Sequence, residues 1–226
     1  MKALLSVYDK AGVVDFARNL QEIGMELVST GGTHKTLRDA GLPVLQVSEV
    51  TGSPEILDGR VKTLHPIIHG GILARRDKPD HISELANRQM DTIDLVAVNL
   101  YPFAAIIARP DVTLDDALEN IDIGGPTMIR AAAKNFPFVA VVVDPTDYPW
   151  VTERMAAGGL TIEERQNLAQ KAFQHVAFYD TIIAQYLRKN DQTGLFPQEL
   201  TFAYTRVQEL RYGENPHQNG AFYTEP

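Results

Sequence analysis

Short apolar runs rich in β-branched residues alternate with helical patterns along the first 145 residues, and this alternation constrains the fold more than any other feature. Strands that alternate with helices need crossover connections, which produce a parallel sheet covered by helices on both faces. The predicted strands are ALLSVY (3–8), MELVST (25–30), PVLQV (43–47), LVAVNL (95–100) and FVAVVV (138–143). The predicted helices include residues 13–23, 31–41, 69–76, 81–90 and 125–135. We therefore predict an α/β fold with a doubly wound, mostly parallel sheet.

The pattern changes at about residue 146. Thr161 and Glu164 have the spacing of a capping box, and a long helix is predicted from there to about Leu187. Residues 188–200 are typical of a polar linker, and the last segment is rich in Gly, Pro and Asn. We predict a core at 1–145, a helical extension and linker at 146–200, and the truncated start of a further domain at 201–226.

Charge and composition restrict the kind of ligand. A net charge of −8 over 226 residues argues against nonspecific nucleic-acid binding, which needs a basic surface. No apolar run approaches the roughly 20 residues that span a bilayer, and the first residues lack the apolar stretch of a signal peptide, so we expect a cytoplasmic protein. A small anionic ligand remains compatible with this charge, because a few lysines and helix N-termini act locally.

A polar turn follows each of the first two strands, where ligands of parallel sheets bind. Ser29, Thr30, Gly31, Gly32 and Thr33 combine hydroxyls, close backbone approach and the free amides of a helix start, which suits a phosphate. The alternative is a glycine turn with Thr33 as a helix cap. The neighbouring stretch SVYDK (6–10) adds the Ser6 hydroxyl and the Lys10 ammonium.

The stretch RVKTLHPIIHGG (60–71) contains Arg60, Lys62 and two histidines four residues apart. Pro66 disfavours helical backbone at His65, so that His65 and His69 do not share a helix face, and no third ligand or cysteine is present. We predict no metal here, with the histidines orienting backbone or contacting substrate. The two cations either contact a phosphate or developing oxyanion, or are solvated loop residues.

Two further stretches carry candidate chemistry. IDIGGPTMIRAAAKN (121–135) places Asp122 before the Gly124–Gly125 pair at a helix start, which suits a general acid or base beside oxyanion donors. The alternative is that Asp122 merely caps the helix. NLYPF (99–103) places Asn99 and Tyr101 at the end of a buried strand, although a tyrosine there more often packs against the core.

In this order, SVYDKAG, STGGTHKTLRDAG, GRVKTLHPIIHGGILARR, NLYPF and DIGGPTMIRAAAKN resemble the IMP cyclohydrolase domain of the bifunctional purine-biosynthesis enzymes, which also carry an AICAR transformylase. The resemblance covers residues 1–200, and LRYGENPHQ resembles the first segment of the transformylase domain. It implies a methylglyoxal-synthase-like fold with a C-terminal helical extension, and a homodimer. It also implies ring closure of 5-formamidoimidazole-4-carboxamide ribonucleotide (FAICAR) to IMP with release of water. The ring closure needs no cofactor, whereas 10-formyltetrahydrofolate serves only the transformylase, which we expect this chain to lack.

The resemblance also implies roles for individual residues. Phosphate binding is assigned to Ser6, Lys10, Ser29, Thr30, Gly31, Gly32 and Thr33. The chemistry is assigned to Lys62, Tyr101, Asp122 and Lys134. The base or the reacting groups are assigned to Arg60, Thr63, Asn99, Ile123, Gly124 and Gly125. We expect Asp122 to accept the proton and Lys62 to stabilise the oxyanion.

Two other functions use a similar cradle. A methylglyoxal-synthase-type lyase needs the phosphate site and a carboxylate base, and a regulatory module like that of carbamoyl phosphate synthetase needs only the phosphate site. The lyase requires neither RVKTLHPIIHGG nor the RYGENPHQ tail, and the module would not need Lys62, Tyr101, Asp122 and Lys134 at once. We therefore expect an enzyme acting on a purine ribonucleotide, with no nucleic-acid or membrane partner.

Overall fold

Residues 1–188 and 197–226 are described by a computed structural model. Most of the predicted linker at 188–200 therefore lies outside the described residues. Contacts divide the chain into two compact units, Met1–Tyr101 with Asp122–Val176 and Pro102–Ile121 with Ala177–Pro226. The boundaries placed at 145 and 200 from the sequence stay a prediction about domains.

The first unit contains a five-stranded sheet in the order β3-β2-β1-β4-β5, in which every pair is parallel. Its strands are β1 (Lys2–Val7), β2 (Glu26–Ser29), β3 (Leu45–Gln46), β4 (Leu95–Asn99) and β5 (Ala140–Val142). From β1, the chain adds β2 and β3 on one side of the sheet and then β4 and β5 on the other. The carboxyl ends of β1 and β4 therefore flank the switch point, where ligands bind in such sheets. The predicted α/β fold is confirmed.

The α-helices of the described residues are, in chain order, α1 (Val13–Glu22), α2 (Gly31–Asp39), α3 (Val47–Thr51), α4 (Pro66–Leu73), α5 (Pro79–Asn87), α6 (Phe103–Ile107), α7 (Leu114–Glu119), α8 (Gly124–Lys134), α9 (Tyr148–Ala156) and α10 (Ile162–Arg188). Of these, α6 and α7 belong to the second unit, and α10 begins in the first unit and ends in the second. None of the described helices is long and apolar enough to cross a bilayer. The capping box that begins α10 is confirmed, since the Thr161 amide donates to Glu164 Oε2 at 2.8 Å and the Glu164 amide to Thr161 Oγ1 at 3.2 Å.

The predicted bounds of one strand and two helices were wrong. The strand at 43–47 is reduced to Leu45–Gln46, because the Gln46 amide donates to Glu49 Oε2 at 2.6 Å and a helix begins at Val47. The helices predicted at 69–76 and 81–90 begin earlier, at Pro66 and Pro79. Proline is favoured in the first helical turn, where its missing N–H has no partner to lose.

The core lies on both faces of the central strands. Leu4 and Leu5 in β1 are neighbours that point to opposite faces, and both are completely buried, as are Leu95 and Val96 in β4. Such continuous apolar runs are expected where helices cover both faces of a parallel sheet. Each buried side chain of this size contributes about 1.5–3 kcal/mol to folding. The carboxyl ends of these strands are therefore a rigid base for polar loops.

The second unit has its own packing. Phe103 in α6 contacts the rings of Tyr179 and Tyr186 edge-on, with centroids 6.3 and 5.7 Å apart. The described part of this unit also contains α7, the end of α10 and an antiparallel pair of strands, β6 (Thr205–Leu210) and β7 (Gly220–Thr224), whose residues are largely exposed.

Candidate active site

The turns after β1 and β2 meet at the carboxyl edge of the sheet. Ser6 Oγ and Thr30 Oγ1 lie 2.9 Å apart, which joins the two turns through their hydroxyls. Gly31, at the start of α2, has a φ of +45°, a conformation that glycine adopts without a steric cost. The first amides of α2 have no partner within the helix and are oriented toward this edge. The predicted cradle thus has the geometry that an anion needs.

Two residues of the predicted cradle use their hydroxyls inside the protein. Ser29 Oγ donates to the Leu5 carbonyl at 2.6 Å, and Thr33 Oγ1 accepts from the Val7 amide at 3.0 Å and donates to the Val7 carbonyl at 2.9 Å. Both side chains are buried. They brace β1 against β2 and α2, so that these two hydroxyls serve the fold.

Lys10 and Lys62 lie on either side of the glycine pair. A methyl carbon on Gly32 would lie 3.6 Å from Lys10 Nζ, and one on Gly31 would lie 3.7 Å from Lys62 Nζ. Lys10 Nζ also donates to the Tyr8 carbonyl at 3.1 Å. The two ammonium groups therefore flank the place where the backbone of the cradle is most accessible.

Asn99, at the end of β4, holds the turn that carries Lys10. Its Oδ1 accepts from the amides of Tyr8 and Asp9 at 2.6 and 2.9 Å, and its Nδ2 donates to the Asp9 carbonyl at 3.0 Å. The side chain is 8% exposed. These bonds fix the turn, and they are a different task from the contact with reacting groups that the resemblance implies.

Asp122 lies two residues before the start of α8, and its Oδ1 accepts from the Gly125 amide at 2.8 Å. Burial raises the pKa of the Asp122 carboxyl above its ordinary value, although the Gly125 amide, the charge of Lys62 and the Gly124 amide oppose the shift. A carboxylate with a raised pKa is a stronger base than an exposed one. Asp122 therefore binds an amide of the first turn of α8 and is also equipped to accept a proton.

Tyr101 lies between Asp122 and the turn after β1. Burial, together with the charge of Asp122 and the neighbouring Tyr8, raises the pKa of the Tyr101 hydroxyl. The rings of Tyr8 and Tyr101 meet edge-on, with centroids 5.1 Å apart and planes inclined by 69°. Tyr8 was missed as a candidate from the sequence, although its place two residues after Ser6 at the end of a strand was a usable signal.

The loop that carries Lys62 is fitted closely to the start of α8. Thr63 is buried, and a methyl carbon on Gly124 would lie only 2.6 Å from Thr63 Oγ1. Two other predicted site residues, Arg60 and Ile123, are exposed. This contact brings Lys62 and Thr63 to the side of Asp122.

The two histidines of this loop support backbone. His65 has extended backbone (φ −136°, ψ 141°) and its Nδ1 accepts from the Ile67 amide at 3.2 Å, so the prediction that Pro66 removes it from the helix is confirmed. The ring of His69 is hydrogen-bonded to the backbone of Thr63, while burial lowers its pKa. Among the described residues no group of three or more His, Cys, Asp or Glu side chains could hold a metal ion.

Lys134 is the one predicted catalytic residue that the fold places apart from the others. It is the last residue of α8, about 15 Å along the helix axis from Gly124 at the rise of an α-helix. Its surroundings are a groove of about 620 Å³ between α8 and α10, which also includes Leu73, Arg130 and Phe173.

This arrangement has the features of an MGS-like domain, and comparison with known families agrees. Residues 12–127, just over half of the chain, match the family described as MGS-like domain, and residues 132–226 match the AICARFT/IMPCHase bienzyme family. The chain belongs to the MGS-like domain family. Within it, the chain corresponds to the N-terminal part of the bifunctional purine biosynthesis proteins called PurH.

The relatives are similar along the whole chain. The PurH of Chloroflexus aurantiacus is 59% identical over 99% of this chain, and that of Listeria welshimeri is 58% identical over 100%. The chain spans 43% and 44% of the lengths of these two relatives. The crystal structure of ForH has 39% sequence identity and a TM-score of 0.73, and the match covers 83% of this chain and 98% of that one.

Proposed function

We propose that this chain catalyses the IMP cyclohydrolase reaction, the dehydrative closure of FAICAR to IMP. The observation that carries the proposal is the position of Asp122, a partly buried carboxylate of raised pKa that is hydrogen-bonded at the Gly124–Gly125 helix start and lies in the field of Lys62. The relatives are named bifunctional purine biosynthesis proteins, which agrees with the proposal.

The reaction makes modest demands on the protein. The carboxamide nitrogen of the substrate attacks its own formyl carbon, a C–N bond forms, and the former formyl oxygen finally leaves as water. Both reacting groups belong to one molecule, and well-oriented intramolecular reactions reach effective molarities of about 10⁵–10⁸ M. The protein has to select the folded rotamer, accept a proton from nitrogen and stabilise the oxyanion. No step involves oxidation or a carried group, so we propose that no cofactor is needed.

The chain offers a group for each of these tasks. The cradle of Ser6, Thr30 and the α2 amides, with Lys10, would hold the phosphate. Asp122 would accept the proton, and its raised pKa makes it a stronger base than an ordinary aspartate. Lys62, between the cradle and Asp122, would face the developing oxyanion.

A spectrophotometric assay of the purified chain with FAICAR in the presence of a chelator tests this function. We expect IMP to form, and we expect Asp122→Asn to lose most of the rate while its melting temperature stays at or above that of the wild type. Activity that EDTA abolished and zinc restored would contradict the proposal. Production of methylglyoxal from dihydroxyacetone phosphate, without conversion of FAICAR, would favour the lyase.

A homodimer in the cytoplasm completes the proposal. The groove between α8 and α10 is mainly apolar, with Leu73 and Phe173 38% and 40% exposed. The guanidinium of Arg130 lies 5.7 Å from the centre of the Phe173 ring. Sedimentation at high protein concentration should give a dimer, and Phe173→Lys should shift it toward the monomer. A monomer mass for the wild type would contradict this part.

A further inference from the structure

Tyr8 is a large aromatic residue at the opening of the candidate site to which no role has been assigned. It is the first residue after β1, and 49% of its surface is exposed. Its backbone is nevertheless fixed, because its amide donates to Asn99 Oδ1 at 2.6 Å and its carbonyl accepts from Lys10 Nζ at 3.1 Å. An exposed ring on a fixed backbone is prepared for a contact at low entropic cost.

The ring of Tyr8 is placed by the ring of Tyr101, 5.1 Å away. Tyr101 is itself 40% exposed and lies in the field of Asp122. Together the two rings, which we call the aromatic wall, extend from the turn of Lys10 toward the Asp122 carboxylate. A ligand whose phosphate lay in the cradle and whose reacting groups lay at Asp122 would place its middle part beside this wall.

The chemistry of the wall favours a flat heterocycle. Aromatic side chains bind the faces and edges of planar rings by stacking and edge contacts, and this binding tolerates differences in ring substituents. The sugar and the phosphate have no planar face to offer. The wall is therefore suited to recognise the base of a nucleotide and to be indifferent to its phosphate.

We propose that Tyr8 is a specificity-determining residue that contacts the heterocyclic ring of the substrate. This inference rests on the proposed function, since it takes a ring-bearing ribonucleotide as the ligand. The cradle and Lys10 then supply affinity for any phosphomonoester of suitable size, and the aromatic wall distinguishes those that carry a planar base.

The test compares two probes, IMP and ribose 5-phosphate, which share the sugar phosphate and differ in the base. Calorimetric titration would measure the binding of each to the wild type, Tyr8→Phe and Tyr8→Ala. We expect Tyr8→Ala to weaken IMP about 5- to 10-fold, the lower end of a stacking contact, because the ring is half exposed. Ribose 5-phosphate should change less than about twofold, and Tyr8→Phe should keep the wild-type affinity for both.

Lys10→Ala is the matched control, because a lost phosphate contact weakens both probes by a similar factor. The inference is overturned if Tyr8→Ala binds IMP as the wild type does. It is also overturned if Tyr8→Ala weakens both probes equally, since Tyr8 would then act through the turn of Lys10. Failure of the proposed function would give a different result, namely a wild-type protein that does not convert FAICAR. That result would remove the ligand on which this inference depends.

Discussion

At Gly125, a single added methyl group should disturb the catalytic geometry while the protein stays folded. A methyl carbon there would overlap Asp122 Oδ2 and would lie 2.7 Å from Leu100 Cδ2. Leu100 is buried against the sheet and has little room to withdraw. In Gly125→Ala the carboxylate of Asp122 must therefore move.

Two free energies of opposite sign set the stability of this variant. Inserting a methyl into a packed site costs about 1–3 kcal/mol, whereas alanine is favoured over glycine in a helix by roughly 0.5–1 kcal/mol. We expect the free energy of unfolding to fall by about 1–2 kcal/mol, which leaves most molecules folded at 25 °C. Displacing the base by about 1 Å should lower kcat about 10²-fold. The KM should change little, because the cradle is formed by other elements.

Gly70→Ala is the matched control in another helix. Its methyl would lie 3.5 Å from Leu85 Cδ2 and Met90 Sδ, which are ordinary van der Waals contacts. We expect this variant to keep the wild-type kcat and to be as stable as the wild type or slightly more so. Steady-state cyclisation rates and urea unfolding of both variants give the comparison.

A double-mutant cycle with Asp122→Asn asks whether the methyl acts through the carboxylate. Asparagine keeps the shape of the side chain and removes the base, so Gly125→Ala should cost far less in kcat in this background than in the wild type. A folded Gly125→Ala protein with the wild-type kcat would refute the reasoning. So would an equal loss in both backgrounds, which would show that the methyl damages something other than Asp122.

Lys10→Ala should raise KM with kcat nearly unchanged, because a phosphate is held equally in ground and transition states. Lys62→Ala should instead lower kcat about 10²–10³-fold. If steady-state kinetics showed only a raised KM for Lys62→Ala, Lys62 would be a phosphate ligand. Asp122→Asn should raise the melting temperature at neutral pH, because the raised pKa means that folding disfavours the charged carboxylate, and scans at decreasing pH should show this gain shrink as the wild-type carboxyl is protonated. Burial opposes the shift at Asp144, but hydrogen bonds from Lys171 and Thr146 prevail and lower its pKa to about 2. Lys171→Met should therefore lose about 1 kcal/mol above pH 4, a value reduced for solvent screening, and urea unfolding should show the difference vanish near pH 2.

The sheet was predictable because its strands are buried on both faces and so have continuous apolar runs. The proximity of the polar turns after β1 and β2 was predictable for another reason: the carboxyl ends of parallel strands lie at the same edge of a sheet. The short helices α6 and α7 were missed, because each has only five or six residues, too few to show a period of 3.6.

The tasks of individual polar side chains in the site were less predictable. Ser29, Thr33 and Asn99 stand where ligand-binding residues are expected, yet each makes hydrogen bonds to backbone of the turn or strand beside it. A hydroxyl or amide can serve a ligand or the fold, and the choice depends on which backbone group lies nearest in three dimensions. The separation of Lys134 from Gly124 along α8 was already implied by the sequence, because a helix of this length spans about 15 Å, and the catalytic role assigned to Lys134 stays a prediction.

The glycine pair at 124–125 illustrates how a sequence signal can be correct for a different physical reason. A glycine pair at a helix start suggests backbone freedom, but neither residue is among the glycines with positive φ. What the site needs is space. Thr63 Oγ1 occupies the position of a side chain at Gly124, and the Asp122 carboxylate occupies that at Gly125. Because the Lys62 loop and the proposed base both approach the start of α8 through these two gaps, the glycines determine the distance between them, and any side chain there would separate the groups that the reaction has to bring together.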